Sequence, residues 1–133
     1  PNCYLDVDND SPELKYVYSH FRKNKGKFWV YEKNNKIIGC MGILPGRKRS
    51  LEIHRLYINK KFRRKGLAKK LLTIAENYAL KSKIKKITLW TDTRFKASHK
   101  TYKKLDYKKL KRTRKLYDIS NTTEYRFEKK LIS

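Results

Sequence analysis

Apolar residues recur along this chain with two periods, and the switches between them mark out its elements. Leu14, Val17, Tyr18 and Phe21 fall three and four apart, the spacing of one face of a helix. Ser11, Pro12 and Glu13 precede them and supply an N-cap, a first-position proline and a first-turn acid. "KFWVYE" and "IIGCMGIL" are β-rich runs separated by "KNNK", the pattern of a hairpin. After a break at Pro45 and Gly46, "LEIHRLYI" (51–58) predicts a third strand. Strict alternation would set Glu52, His54 and Leu56 on one of its faces and Ile53, Arg55 and Tyr57 on the other. The helical period returns from Gly66 to about Lys81 through Leu67, Ala68, Leu71, Leu72, Ala75, Tyr78 and Ala79. "KKITLW" then predicts a strand and "KASHKTYKKL" a short helix. "YKKLKRTRKLY" and "TEYRFEKKL", joined by "DISNT", predict two closing strands.

The predicted order is helix, three strands, helix, strand, helix, two strands. A strand, a long helix and a strand at its centre imply a parallel pair joined by a crossover, inside a sheet otherwise built from hairpins. The expected class is therefore mixed α/β with a mostly antiparallel sheet. A length of 133 residues suits one core, so a single domain over 1–133 is expected.

Composition adds charge to this picture. Lys and Arg total 36 against 12 Asp and Glu, a net charge of +24, while 38% of residues are hydrophobic and periodic, which predicts a folded, polyanion-attracting chain. The lysines are spread along the sequence, and the abundance of Lys, Asn, Ile and Tyr beside only four Ala and five Gly is also what an AT-rich genome produces. A basic nucleic-acid-binding module is one alternative class. It lacks zinc-finger spacing and an aromatic platform interleaved with Arg, so only nonspecific electrostatic binding to nucleic acid is expected. Cys3 and Cys40 have no metal-ligand spacing; Cys40, in an apolar run, reads as a buried structural thiol. No metal site is expected. No apolar run approaches a membrane span and no leader pattern is present, so a soluble, cytoplasmic protein without membrane contacts is expected. The sequence opens on Pro1 rather than Met, which points to a fragment or a processed form.

The chemistry concentrates around "NKKFRRKGLA" (59–68), where the third strand runs into the long helix. The first N–H groups of a helix have no internal partner and face the preceding loop, where a pyrophosphate can fill them. Gly66 permits turn geometry that a Cβ resists, Ala68 keeps the next turn small, and Arg63, Arg64 and Lys65 add positive charge. On these residues alone, a solvated basic loop is the preferred reading.

"RRKGLA" (63–68) is, however, similar to the Arg/Gln-x-x-Gly-x-Gly/Ala signature of the GNAT N-acetyltransferase superfamily, and "ASHKTYKKLDY" (97–107) resembles that family's late helix, A-x-x-L-Y-x-K-x-G-F. "HRLY", "LWTDTRF" and "DISNTTEYRFEKKL" look like a small bacterial-type member, so the resemblance covers about 28–131. It implies the family's fold, with a parallel strand pair at the acetyl-CoA site and the first strand and helix absent or shortened. It implies acetyl-CoA as co-substrate and acetyl transfer to a primary amine by direct attack in a ternary complex, in a monomer or homodimer. Leu56, Tyr57 and Ile58 would grip the pantetheine arm through their backbone, one N–H polarising the thioester carbonyl. Arg63, Arg64, Lys65, Gly66, Leu67 and Ala68 would hold the pyrophosphate, with Ser98 on the late helix a further contact. Tyr102 would protonate the departing thiolate. Glu52, 11 residues before Arg63, stands where the histone-acetylating branch carries its base.

His54 shares the strand face predicted for Glu52 and titrates near neutrality unaided, which makes it the second candidate base; His20 and His99 read as surface or helix-face residues. Trp90 and Asp92 end the strand after the crossover helix, at the edge where ligands of α/β sheets sit, or else serve packing and helix N-capping. Two positions depart from the family: Asp106 replaces the usual Gly, and Phe95 stands near a usual cofactor-contacting Asn. A domain that binds acyl-CoA without turnover is the second alternative. The positive charge disfavours cationic acceptors such as histone tails and polyamines, so the expected acceptor is a small amine: an amino acid, an amino sugar or a nucleotide-linked amine.

Overall fold

The computed structural model describes residues 19–131. A helical stretch at 19–23 leads into β1 (Lys27–Lys33), β2 (Lys36–Pro45) and β3 (Ser50–Ile58), then α1 (Leu67–Lys81), β4 (Lys86–Asp92), α2 (Lys96–Lys104), β5 (Lys108–Lys115) and β6 (Thr123–Lys130). The six strands form one sheet in the order β1-β2-β3-β4-β6-β5. Only β3 and β4 are parallel; every other neighbouring pair is antiparallel. From the first predicted strand onward the predicted order is borne out, and so is the mixed sheet. Most of the predicted first helix, the expected absence of a first strand and helix, and Cys3 lie outside the described residues.

Local chemistry accounts for the turns. Asn34 and Asn35, at φ 49° and 62°, make the two-residue link between β1 and β2, the left-handed pair that Asn tolerates best after Gly. Asp106 lies at φ 71° and so takes the left-handed turn that the family's Gly would take.

Both helices cover one face of the sheet. Leu71, Leu72, Ala75 and Ala79 of α1 are fully buried, and they share a core with Met41, Ile43, Ile53, Ile87, Leu89 and Phe127 from the strands and Tyr102 from α2. The other face carries a smaller cluster, Phe21, Phe28 and Val30. Phe21 stacks on Phe28 at 5.4 Å and fits only because Gly42 lies beneath it: a Cβ there would come within 2.3 Å of the Phe21 ring.

β3 departs from strict alternation. Its register against β2 shifts between the pairs Cys40↔Tyr57 and Gly42↔His54, and Arg55 sits at φ 54°. This is a bulge, and it reverses the facing of everything after it. Leu56 and Ile58 therefore join Leu51 and Ile53 on the helix-covered core, instead of Leu56 sharing the face of Glu52 and His54. Among the described residues no helix is long and apolar enough to cross a membrane.

Candidate active site

β3 and β4 pair only from Ser50↔Lys86 to Ile53↔Leu89. Beyond Ile53 the bulge turns β3 away while β4 runs on to Asp92, and a cleft of about 370 Å³ opens between them. Because it is a split in the sheet, it is reached from both faces. Ser98 and Tyr102 of α2 line it from the helix-covered face; Glu52, His54, Trp90 and Glu124 line it from the other.

The basic loop starts where β3 ends. Asn59 accepts a hydrogen bond from the Lys61 N–H at 3.0 Å, shaping a single 3-10 turn over Lys60–Phe62. Arg63 donates its Nε–H to the Ile58 carbonyl at 3.0 Å, which ties the loop back to the strand. Arg64 and Gly66 are left-handed, at φ 64° and 78°. Gly66 is the N-cap of α1; a Cβ on it would meet nothing within 4 Å. Its necessity is therefore conformational and not a matter of space. α1 has no side-chain cap and no acidic residue in its first turn, so the N–H groups of that turn, from Leu67 and Ala68 on, remain available to an anion. Arg64 and Lys65 are exposed, and Lys65 Nζ lies 5.6 Å from the Phe62 ring.

Glu52 and His54 do share a face, with His54 Nε2 3.9 Å from a Glu52 oxygen. Glu52 is also held from β6, where Arg126 donates to it at 2.9 Å. Burial lowers the His54 pKa from its ordinary 6.5; Glu52 opposes this, while Arg114, His20 and Arg126 reinforce it. His54 is thus neutral at pH 7. Tyr102 is buried, its ring packed against Tyr107 and Phe127. Burial pushes its phenol up to about 12, and its hydroxyl makes no hydrogen bond among the described residues.

The structure sharpens the reading of three residues. His99 is buried rather than on the surface, stacked on Phe127 with its Nε2–H donated to the Asp92 carbonyl at 2.9 Å. Asp92 does not cap α2; Phe95 is its N-cap, without a side-chain bond. The Asp92 carboxylate instead accepts from the Arg94 N–H and Nε at 2.9 Å each, and the Arg94 side-chain bond, above all, holds its pKa below the ordinary value. Cys40 is half-buried, donating its S–H to the Arg55 carbonyl at the bulge, and burial raises its pKa. Sequence reasoning missed Arg126, Arg114 and Glu124, although a signal was present. In "TEYRFEKK" the charged Glu124, Arg126 and Glu128 alternate with Tyr125 and Phe127, which in a strand makes one charged and one apolar face.

The Acetyltransferase (GNAT) family model matches residues 2–107. "Probable N-acetyltransferase 14" of Xenopus tropicalis is 32% identical over 101 residues, 74% of this chain and 48% of that protein. N-acetyltransferase 8 of Homo sapiens is 27% identical over 111 residues, 80% and 49% of the two. The chain thus spans about half the length of these curated relatives. A GNAT-family acetyltransferase from Staphylococcus aureus Mu50 shares the fold with TM-score 0.76 at 21% identity, over 96% of this chain and 81% of that one. So does a GNAT-family acetyltransferase from Elizabethkingia anophelis, solved with acetyl-CoA bound, at TM-score 0.71 and 22% identity over 91% and 84%. With a family model that matches most of its length and a cleft built around the motifs of that family, this chain belongs to the acetyltransferase (GNAT) family.

Proposed function

We propose that this chain is an acetyl-CoA-dependent N-acetyltransferase that moves an acetyl group to the primary amine of a small molecule, by direct attack with both substrates bound. The observation that carries this reading is the split between β3 and β4, open to both faces of the sheet. A thioester entering from the helix-covered face meets Tyr102; an amine entering from the other meets Glu52 and His54.

The residues fit acetyl-CoA. The uncapped first turn of α1, with left-handed Arg64 and Gly66 before it and no acid beside it, suits a pyrophosphate. On the side of the cleft, the backbone of Leu56, Tyr57 and Ile58 has no strand partner beyond the pair Ile53↔Leu89, so an N–H there is available to a carbonyl. Ser98 lies one turn before Tyr102 on the same cleft-facing side of α2. The thioester supplies the activated acetyl group.

For the proton of the attacking amine, neutral His54 is the better base, because Glu52 is occupied by Arg126 at 2.9 Å. Glu52 then serves the imidazolium that forms, from 3.9 Å. Tyr102 meets the leaving sulfur. A phenol at about 12 is a weaker acid than a thiol near 8.5, by roughly three units. Full transfer to sulfur is therefore uphill, and Tyr102 stabilises the thiolate chiefly by hydrogen bonding until a proton from the amine side arrives. On this reading residues 1–133 act as one domain.

Two measurements test the proposal. Acetyl-CoA should raise the melting temperature of the wild type but not of Gly66→Glu, whose carboxylate opposes the pyrophosphate. Thiol release over a diverse amine panel should then reveal turnover; stabilisation without thiol release on any amine would leave a binding domain instead. Lysine-rich peptides should be poorer acceptors than small neutral or acidic amines, because a chain of net charge +24 repels them within the Debye length of about 8 Å.

A further inference from the structure

Around Trp90, which lines the cleft on the face of Glu52 and His54, there are more arginines than carboxylates paired with them. The Trp90 ring is approached by three guanidiniums: Arg114 at 4.4 Å, Arg126 at 4.8 Å and Arg112 at 5.7 Å from its centroid. Arg126 is paired with Glu52 at 2.9 Å and Arg114 with Glu124 at 2.7 Å. Among the described residues Arg112 makes no ion pair, and its side chain's one polar or ring partner is Trp90. Three like charges around one indole repel one another, and two carboxylates leave one positive charge uncompensated. The Arg112 fork is free to grip an oxyanion in the bidentate way that guanidinium geometry favours, beside a ring that lines the cleft together with Glu52 and His54.

We infer that Arg112 is a specificity-determining residue that reads an oxyanion, carboxylate or phosphate, carried by the acceptor amine, with Trp90 holding the guanidinium in place. The acceptor is then a zwitterionic or anionic amine whose anion rests on Arg112 while its nitrogen points to His54. This rests on the acetyl-transfer reading and narrows its acceptor class. Neutral amino sugars lack the group Arg112 would bind and should be poor acceptors.

Matched acceptors decide it: amino acids against their amides, and phosphoethanolamine against ethanolamine, with wild type, Arg112→Gln and Arg112→Lys. Arg112 is exposed on the edge strand β5, so neither variant threatens the fold. The expected result is a KM at least about tenfold lower for the anionic member of one pair, the size of one charge-assisted hydrogen bond. Arg112→Gln should erase that ratio with kcat changed by no more than about twofold, and Arg112→Lys should restore part of it. Which pair shows the effect separates carboxylate from phosphate. Equal KM values within every pair, or an Arg112→Gln effect of the same size on both members, would overturn the inference. Melting shifts by the same compounds in the presence of CoA give a readout free of turnover. If no amine is acetylated, the acetyl-transfer reading fails, and an Arg112-dependent shift by the anionic member alone keeps the anion site, whereas no such difference overturns it.

Discussion

In the proposed mechanism Tyr102 answers two demands with different parts of one side chain. Its ring belongs to the core, against Tyr107 and Phe127, while the residue also lines the cleft and its hydroxyl makes no hydrogen bond among the described residues. Tyr102→Phe keeps the ring and removes only the hydroxyl. Thermal stability should therefore change by less than about 0.5 kcal/mol, while kcat falls about 10²-fold or more and the KM for acetyl-CoA stays near its wild-type value. A loss of stability as large as the loss of rate would return Tyr102 to a purely structural role. His54 makes a pH-dependent prediction. Burial lowers its pKa below 6.5, so on the proposed reading the base is neutral at pH 7, and kcat/KM should show a rising limb with a midpoint below 6.5, separate from the later rise as the acceptor amine loses its proton. In the unfolded chain the imidazole takes up its proton near 6.5 whereas the folded chain resists it, so stability should fall as pH drops below that value. His54→Gln should lower kcat/KM and remove the limb; an unchanged limb in the variant would assign the base elsewhere.

At the scale of the element, the site depends on one irregular residue. Without the bulge at Arg55, β3 would keep its alternation, Leu56 and Ile58 would leave the core, and β3 would have no reason to part from β4. The bulge costs a left-handed non-glycine residue at φ 54°. Arg55→Gly should relieve this and raise stability by up to about 1 kcal/mol with the cleft intact; a loss of stability would mean that the Arg55 side chain contributes more than its backbone costs. The bulge also explains which features the sequence disclosed. The order of elements, the hairpin at Asn34 and Asn35 and the loop at Gly66 are written in local residue chemistry, and they were legible. A bulge has no local signature in "LEIHRLYI", so the facing of Leu56 was not. The pairing of Glu52 with Arg126 joins residues 74 apart in sequence and depends on β6 lying beside β4, an arrangement no periodicity reveals. The burial of His99 is not legible for the related reason that a helix of nine residues shows too few turns to distinguish its inner face.

Over the whole molecule, charge divides into a balanced part and a free part. The carboxylates around the cleft are engaged: Glu52 by Arg126, Glu124 by Arg114 and Asp92 by Arg94. Most of the +24 therefore belongs to exposed lysines such as Lys60, Lys61, Lys69 and Lys70 around the Gly66 loop. Two consequences separate by their response to salt. Exposed charges draw anions by a long-range field that a Debye length of about 3 Å at 1 M salt extinguishes. On the proposed reading, by contrast, the helix N-terminus and the Gly66 turn act on the pyrophosphate at contact. Raising salt from 0.05 to 0.5 M should therefore abolish retention on an anionic resin or nucleic acid, while the KM for acetyl-CoA rises by about tenfold at most. Charge-reversal of Lys69 and Lys70 to Glu should reduce the salt dependence of that KM without abolishing turnover, because neither side chain is needed to form the loop. If turnover instead disappeared with salt in parallel with resin binding, the lysine field rather than the built loop would be what holds the cofactor.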